Sequence, residues 1–354
     1  MLRGEFEDVT GTPHAVAKAE DGSVLDAPKV EGAGHEAVLP ALFAWVQAHL
    51  AGRALAAVGH RIVHGGDAFT GPARVDEAAI AAMEALVPLA PLHQPHNLAA
   101  IRAVSAAQPG LAQVACFDTA FHRTLPGVAR RWALPDRLGL RRYGFHGLSY
   151  EWAASQLPHD LAGGRVIVAH LGSGASLCAM VAGQSVETTM GTTPLDGLVM
   201  GTRCGTLDAG VVLYLLQERG MTAAAVEHLL YHEAGLLGLS GVAADMRTLH
   251  ASEAPAAAGA VELFAYRVAQ LAGGLMAALG GIDGFVFTGG IGEHDARVRA
   301  LVADHLGWMG IALDPDAAVP GRISADRSAL EVLVIAADEE AVIDRQVRGV
   351  LRRG

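Results

Sequence analysis

The sequence has few basic residues and few cysteines, and both scarcities restrict what the protein can do. Its 354 residues carry 26 lysines and arginines against 37 aspartates and glutamates, a formal net charge of −11. A general nucleic-acid binder needs a basic surface that neutralises phosphates, so the composition argues against that class. The cysteines, Cys116, Cys178 and Cys204, form no CxxC pair and fit neither a disulfide framework nor a zinc site. We therefore expect no nucleic-acid partner and a reducing, cytoplasmic setting.

Long hydrophobic runs are also missing. The first residues lack the basic region and apolar run of a signal peptide, and no stretch of about 18 uninterrupted apolar residues occurs. The apolar fraction is nonetheless 51%, and a chain of this length is longer than one compact domain usually needs. We expect a protein without a membrane partner, folded into two lobes with a cleft between them.

Short runs rich in valine and isoleucine alternate with helical patterns along the chain. The predicted strands are Ala57–Val63, Gln113–Phe117, Arg165–His170, Gly284–Thr288 and Glu331–Ala336. The predicted helices are Glu36–His49, Asp208–Glu218, Thr222–His232, Ala260–Leu279 and Asp295–His305. Residues 166–189 differ, because they read as three strands joined by short glycine turns, an antiparallel meander. The whole pattern predicts an α/β fold.

Two arginines lie beside glycine-rich turns that are far apart in sequence. GHRIVHGG, residues 59–66, ends an apolar strand and presents Arg61, whose rigid fork of donors suits a carboxylate or a phosphoryl group. A surface ion pair is the alternative. MGTRCGTLDAG, residues 200–210, places Arg203 in a tight loop before a helix capped by Asp208. If both arginines reach one cleft, they can neutralise charge on a phosphoryl group in its transition state.

Two further motifs supply a carboxylate and an imidazole. FDTAFH, residues 117–122, delivers Asp118 at a strand end, where it holds magnesium, orients a nucleophile or simply caps the next turn. YGFHG, residues 143–147, sets His146 between glycines beside Phe145. There it donates to a developing anion, or it is a buried histidine satisfied by a backbone carbonyl.

Glycine-rich and acidic segments complete the candidate chemistry. HLGSGAS, residues 170–176, lies at the tip of the meander, where its glycines allow backbone N–H groups to approach a phosphate, although a plain hairpin looks similar. VFTGGIGEHD, residues 286–295, predicts a strand and a glycine turn that matches neither a Walker A loop nor a dinucleotide fingerprint. VLVIAADEEAV, residues 332–342, places three carboxylates at a strand-to-helix junction, where Glu339 holds a magnesium-bound water, or Asp338 and Glu339 cap the next helix.

In this order, and together with APLHQPHN (residues 90–97) and SVETTMGTTPLDGLVMGTRCG (residues 185–205), these motifs resemble the acetate and propionate kinase family. The resemblance runs from about Ala57 to the C-terminus. It implies the two-lobed fold of sugar kinases and actin-like ATPases, with ATP and Mg²⁺ (or Mn²⁺) in a nucleotide cleft between the lobes. It implies reversible in-line phosphoryl transfer between ATP and acetate or another short-chain carboxylate, and a homodimer.

The resemblance also implies lobe boundaries and site residues. Residues 1–118 with 341–354 correspond to the first lobe, and residues 119–340 to the second, with the nucleotide-binding and dimerisation elements. The implied catalytic residues are Arg61, His93, Asp118, His146 and Arg203. The implied acid pocket consists of Arg61, Val63, Leu92, Phe145 and Pro194. The implied nucleotide contacts are His170, Leu171, Gly172, Ser173, Gly174, Asp245, Met246, Arg247, Gly289, Gly290, Ile291, Gly292 and Glu293. The implied metal ligand is Glu339.

The sequence departs from the family most at its start, and in smaller ways elsewhere. Family members open with an apolar strand and an Asn-x-Gly-Ser-Ser-Ser-x-Lys loop, and this sequence begins beyond that point. We expect a start codon assigned too far downstream; the alternative is a truncated nucleotide-binding relative with weak or no activity. A propionate or butyrate kinase is a further alternative, because one methylene changes binding by only about 1 to 3 kcal/mol. Tyr150 follows HGLS, where the family usually has histidine.

Overall fold

The computed structural model describes residues 3–7, 9, 12–19, 21–30, 32, 34–50 and 52–353. Its strands are β1 (Arg3–Glu7), β2 (His14–Lys18), β3 (Val24–Leu25), β4 (Ala57–Ile62), β5 (Ala73–Arg74), β6 (Ala112–Phe117), β7 (Arg165–Leu171), β8 (Ala175–Val181), β9 (Gln184–Thr188), β10 (Gly284–Thr288), β11 (Gly321–Arg322) and β12 (Glu331–Val334). Its α-helices are α1 (His35–His49), α2 (Glu77–Glu84), α3 (Gln94–Ala107), α4 (Gly147–Ser155), α5 (His159–Ala162), α6 (Ala209–Gln217), α7 (Ala223–His228), α8 (Gly235–Ser240), α9 (Met246–Ala251), α10 (Pro255–Leu279), α11 (Gly289–His294), α12 (Ala296–His305) and α13 (Glu339–Leu351).

The first of two compact units contains Met1–Val63, Pro72–Cys116 and Ile343–Gly354. It holds two three-stranded sheets, with strand orders β1-β2-β3 and β4-β6-β5. Helix α13 packs so closely on β4 that a side chain at Gly59 would overlap Ile343. Strand β6 runs beside β4, and Asp118 follows directly after the last residue of β6.

The second unit contains His64–Gly71 and Phe117–Val342 and is built on a six-stranded sheet of order β11-β12-β10-β7-β8-β9. Strand β10 runs parallel to both β7 and β12, whereas β8, β9 and β11 pair antiparallel with their neighbours. The 25-residue α10 packs on β8 and buries small and apolar side chains at helical spacing, among them Ala265, Val268 and Ala272. The sheet core is thereby covered by a helix, as an α/β fold requires.

The secondary structure confirms most of the predicted elements. The predicted meander over residues 166–189 is confirmed as β7, β8 and β9. The predicted helix Thr222–His232 is instead α7 followed by a π-helical segment, Leu229–Glu233. The predicted glycine turn after β10 is wrong, because Gly289 takes a φ of 78° and then opens the short helix α11. Among the helices of the described residues, each is too short or too polar to cross a bilayer.

Candidate active site

Three segments predicted to contact nucleotide or metal meet at one edge of the second unit's sheet. Strands β7, β10 and β12 are parallel, and their registers place Thr288 beside His170 and Val334 beside Phe287. The chain leaves these strands as residues 172–174, which are predicted to bind phosphate and are called the phosphate loop below, as α11 and as the acidic turn before α13. Since the carboxyl ends of parallel strands are where open α/β sheets bind ligands, this edge is the candidate site.

The phosphate loop is a tight turn fixed by backbone hydrogen bonds. The N–H of Gly172 donates to the carbonyl of Gly174 at 3.0 Å, and the N–H of Gly201 donates to the carbonyl of Ser173 at 3.1 Å. The second bond ties the loop that carries Arg203 to the phosphate loop. Arg203 is held further by its Nη1, which donates to the carbonyl of Pro194 at 2.6 Å. Two segments remote in sequence are thus joined.

His146 and Arg203 converge on the same glycine of this loop. A methyl group built on Gly174 would lie 2.8 Å from Arg203 Nη2 and 3.1 Å from His146 Nε2. Burial lowers the pKa of Arg203 from its ordinary value, but a guanidinium stays charged at every physiological pH. A cation and an imidazole nitrogen therefore both pack against Gly174, too closely to admit a side chain at that position.

The backbone of α4 places Asp118 beside His146. His146 has a left-handed φ of 58° and precedes α4, whose first residue is Gly147. A Cβ at Gly147 would overlap the carbonyl oxygen of Asp118, so only glycine permits this approach. Asp118 is 1% exposed and begins a short 3₁₀ helix after β6. The strand-end placement predicted for Asp118 is what the chain adopts.

Buried hydroxyls hold the imidazole of His146 from behind. Ser176 Oγ lies 2.8 Å from His146 Nδ1, and Tyr150 Oη lies 2.5 Å from Ser176 Oγ. The ring of His146 stacks on His170 with 4.4 Å between centroids, and His170 Nδ1 lies 2.8 Å from Ser149 Oγ. Sequence analysis missed Ser149 and Tyr150 as site residues, although both lie in the HGLSY segment that follows His146.

A second histidine, His122, supports the loop before His146. Its Nε2 lies 2.9 Å from the carbonyl of Phe145, and its Nδ1 lies 2.8 Å from Ser185 Oγ. Because a carbonyl can only accept, Nε2 carries the proton and Nδ1 accepts from the serine. Burial, reinforced by the nearby positive charge of Arg142 and opposed by the Phe145 bond, lowers the pKa of His122 from 6.5 to about 4. His122 is therefore neutral at pH 7.

The loop after Arg61 belongs to the second unit. His64 is fully buried, and burial lowers its pKa to about 4 against the opposing effects of the Thr192 carbonyl and Asp67. Its ring meets Phe145 edge to face at 5.4 Å, and Gly65 N–H donates to Thr119 Oγ1 at 3.0 Å. The neutral ring of His64 thus packs against Phe145.

The carboxylate of Glu293 joins two of the three segments. Its Oε1 accepts from the N–H groups of Gly289 and Ala337, each at 3.0 Å. Asp338 Oδ1 accepts from Ala341 N–H at 3.0 Å, so Asp338 caps α13 as one alternative proposed. Glu339, half-buried, opens α13 beside it.

Glu339 is the predicted metal ligand at the start of α13. Among the described residues, no cluster of three or more histidine, cysteine or acidic side chains could hold a metal ion. Mg²⁺ usually takes only one or two protein carboxylates, together with waters and substrate phosphates. Glu339, at the start of α13, and Asp118, directly after β6, are carboxylates of the type that Mg²⁺ takes.

A further segment predicted to contact the nucleotide, residues 245–247, lies at the start of α9. Asp245 Oδ1 accepts from Thr248 N–H at 2.9 Å and caps the helix. This backbone bond, together with a second bond from the Thr248 hydroxyl, lowers the pKa of Asp245. Met246 is 4% exposed and Arg247 is exposed. A side chain at Gly201 would come within 3.0 Å of the carbonyl of Ala244, so this segment borders the loop that contains Arg203.

The remaining predicted residues lie in the first unit, where Asn97 joins two of them. Val63 N–H donates to Asn97 Oδ1 at 3.1 Å, and Asn97 N–H donates to the carbonyl of His93 at 3.0 Å. Leu92 is half-buried before α3, and Arg61 is exposed on β4. The motif APLHQPHN contains Asn97, but nothing in the sequence indicated that its amide would bind the end of β4.

Comparison with known proteins identifies the family of the chain. The chain is 53% identical to an acetate kinase of Rhodopseudomonas palustris (strain TIE-1) over 360 residues, which cover 98% of the chain and 90% of that protein. The solved propionate kinase of Francisella tularensis subsp. tularensis SCHU S4 superposes with a TM-score of 0.89 at 34% identity, covering 98% and 92% of the two chains.

A second solved structure, the acetate kinase of Porphyromonas gingivalis, gives a TM-score of 0.85 at 33% identity and covers 99% of this chain and 93% of that one. These superpositions confirm the predicted α/β fold class. The description of the acetokinase family matches residues 4–345. The resemblance inferred from the sequence motifs is thereby confirmed, and the chain belongs to the acetokinase family.

Proposed function

We propose that the chain catalyses reversible phosphoryl transfer between ATP and acetate. A carboxylate oxygen of acetate forms a bond to the γ-phosphorus, the bond from that phosphorus to the bridging oxygen breaks, and ADP leaves with the electron pair. The products are acetyl phosphate and ADP. No proton moves, because acetate is already ionised at pH 7. We also propose that the reaction takes place in the cytoplasm.

The convergence of His146 Nε2 and Arg203 Nη2 on Gly174 supports this reaction most directly. Charge spreads over three phosphoryl oxygens in the transition state, and fixed donors aimed at that charge lower the barrier without reorganising. Arg203 supplies a guanidinium fork and His146 supplies one further donor. The glycines allow the loop backbone to approach the nucleotide phosphates.

The acidic residues have separate roles in the proposal. Glu339 and Asp118 would hold Mg²⁺, which neutralises phosphate charge when it is bound. Asp118, buried and fixed at the end of β6, also orients the attacking acetate. Arg61, which the family resemblance assigns to the acid's carboxylate, and His93 remain predicted catalytic residues of the first unit.

Hydroxylamine trapping tests the reaction. With ATP, Mg²⁺ and acetate, the wild type should form acetyl hydroxamate. Arg203→Lys keeps the charge but loses the fork, so we expect kcat about 10² to 10³ lower. Arg219→Lys, at an exposed position after α6, is the matched control and should retain wild-type kcat. ATP binding without hydroxamate from any acid would instead favour a nucleotide-binding relative without activity.

The length of the acid's chain is a separate question. Phe145 is 1% exposed and Pro194 is buried, and the resemblance assigns both to the acid's alkyl end together with Val63 and Leu92. We propose acetate as the preferred acid. Its kcat/KM should exceed that of propionate by about 10-fold or more, because one methylene is worth about 1 to 3 kcal/mol. A reversed ratio would make the protein a propionate kinase.

The apolar surface of α6 supports a homodimer. The helix has the sequence AGVVLYLLQ, yet none of its residues is buried, and Leu213 and Tyr214 are 53% and 49% exposed. Such a surface is typical of an interface between proteins. We propose a second copy of the chain as its occupant. Leu213→Glu should convert the dimer to a monomer in light scattering, whereas the exposed control Val128→Glu should not. A wild-type monomer would refute the proposal.

A further inference from the structure

Tyr150 takes no direct part in the proposed reaction, yet its phenol begins a buried chain of hydrogen bonds that ends on His146. Tyr150 and Ser176 are both 0% exposed. The phenol oxygen lies 2.5 Å from Ser176 Oγ, and Ser176 Oγ lies 2.8 Å from His146 Nδ1. All three residues belong to the second unit. Each hydroxyl has one proton to give, so the direction of donation is the same along the whole chain.

The direction of this chain decides which nitrogen of His146 carries a proton. A phenol is a stronger donor and a weaker acceptor than an alkyl hydroxyl, because its oxygen shares electron density with the ring. Burial raises the pKa of Tyr150 well above its ordinary value, against the opposing effect of the Ser176 bond, so the phenol keeps its proton. Donation from Tyr150 to Ser176 leaves the serine proton for His146 Nδ1. The imidazole proton must then be on Nε2.

We infer that Tyr150 is a positioning residue which, through Ser176, fixes His146 in the tautomer with its proton on Nε2. That nitrogen is the one directed at Gly174 beside Arg203. A neutral His146 therefore presents a donor, rather than a lone pair, to an anion in the phosphate loop. Stacking on His170, which is itself held by Ser149, restrains the ring against turning over.

The catalytic consequence rests on the proposed kinase function, but the tautomer itself can be read without turnover. The full-length protein is labelled with ¹⁵N-histidine, and long-range ¹H–¹⁵N spectra are recorded at pH 7 to 8. The signal of His146 is identified by its loss in His146→Gln. We expect the wild type to show a single neutral tautomer protonated on Nε2. Tyr150→Phe should give a mixture of tautomers, because Ser176 is then free to reverse its donation.

A proton on Nδ1 in the wild type, or an unchanged spectrum in Tyr150→Phe, would overturn the inference. Ser176→Ala is a second, smaller change that removes the middle hydroxyl of the same hydrogen bonds, and it should also give a mixture of His146 tautomers. If Tyr150→Phe does not fold, the wild-type tautomer and Ser176→Ala still decide. A wild type that forms no acyl phosphate would refute the kinase proposal alone.

Kinetics separate positioning from a general loss of structure. We expect Tyr150→Phe to lower kcat about 10-fold, with the KM values for acetate and ATP within about 2-fold of wild type. Residues that hydrogen-bond behind a metal-binding histidine change activity by about 10- to 100-fold, and Tyr150 and Ser176 hold His146 in a similar way. Combining Tyr150→Phe with Ser176→Ala should cost no more than Ser176→Ala alone, because the chain is already cut. If the double variant instead lost kcat by the product of the two single losses, Tyr150 and Ser176 would not act through the same hydrogen bonds. Tyr266→Phe, on the half-exposed part of α10, serves as the control.

Discussion

Acidification should destabilise the protein through His122, and the size of the effect follows from its burial. The folded pKa is about 4 and the ordinary value is 6.5, so the folded state binds fewer protons than the unfolded state between these limits. The part of the folding stability that depends on a neutral His122 is fully present above pH 6.5 and is lost as the pH falls toward 4. A pKa lowered from 6.5 to about 4 is worth about 3 kcal/mol in total, of which about 2 kcal/mol is lost between pH 7 and pH 5.

His122→Gln isolates this contribution, because glutamine does not titrate. Urea unfolding at pH 7 and pH 5 gives the loss of stability on acidification for each protein. We expect this loss to be about 2 kcal/mol smaller in the variant, even though the variant is less stable at pH 7 because a buried hydrogen bond is lost. His159→Gln, at an exposed histidine, controls for a change in charge. If wild type and His122→Gln lose equal stability on acidification, the reasoning is refuted.

Three further predictions concern the supports of the site. Gly147→Ala should lower the stability by about 1 to 3 kcal/mol and remove most kinase activity, because the added methyl overlaps the Asp118 carbonyl. Gly273→Ala is the control, because a methyl group at that position of α10 meets open space. Equal melting temperatures of the two variants would refute this prediction. Glu293→Ala should cost about 1 to 3 kcal/mol for the unsatisfied N–H of buried Gly289, and little for the N–H of exposed Ala337, which can bond to water; it should also raise the KM for ATP. Glu293→Gln keeps an acceptor and should retain most of the stability and the KM. Iodoacetamide should alkylate Cys204 before Cys178, because Cys178 is buried and burial raises its pKa to about 12. Mass spectrometry of the native protein follows the order of modification, and alkylation of Cys178 before Cys204 would contradict the prediction.

The sequence predicted the elements whose signal is local. The runs of β-branched residues indicated β4, β6, β7, β10 and β12, and the glycine turns between 166 and 189 indicated the meander. Asp208 was predicted as a helix cap and accepts from Gly210 N–H at 2.8 Å. The segment of residues 185–205 was specific enough to identify the family. The glycines at 289, 290 and 292 misled the prediction, because one left-handed residue at Gly289 is enough to start a helix there.

Other features of the site come only from the tertiary structure. No periodicity connects Tyr150 with Ser176, Asn97 with Val63, or Glu293 with Ala337, since each pair is separated by 26 to 44 residues. Their bonds depend on how strands and helices pack, and a single hydroxyl or amide gives no pattern that a sequence can display. The sequence by itself determined the family, the fold class and the residue types available for phosphoryl transfer. Only the tertiary structure decided which buried hydroxyls, amides and carboxylates hold those residues in place, because hydrogen bonds need atoms within about 3 Å.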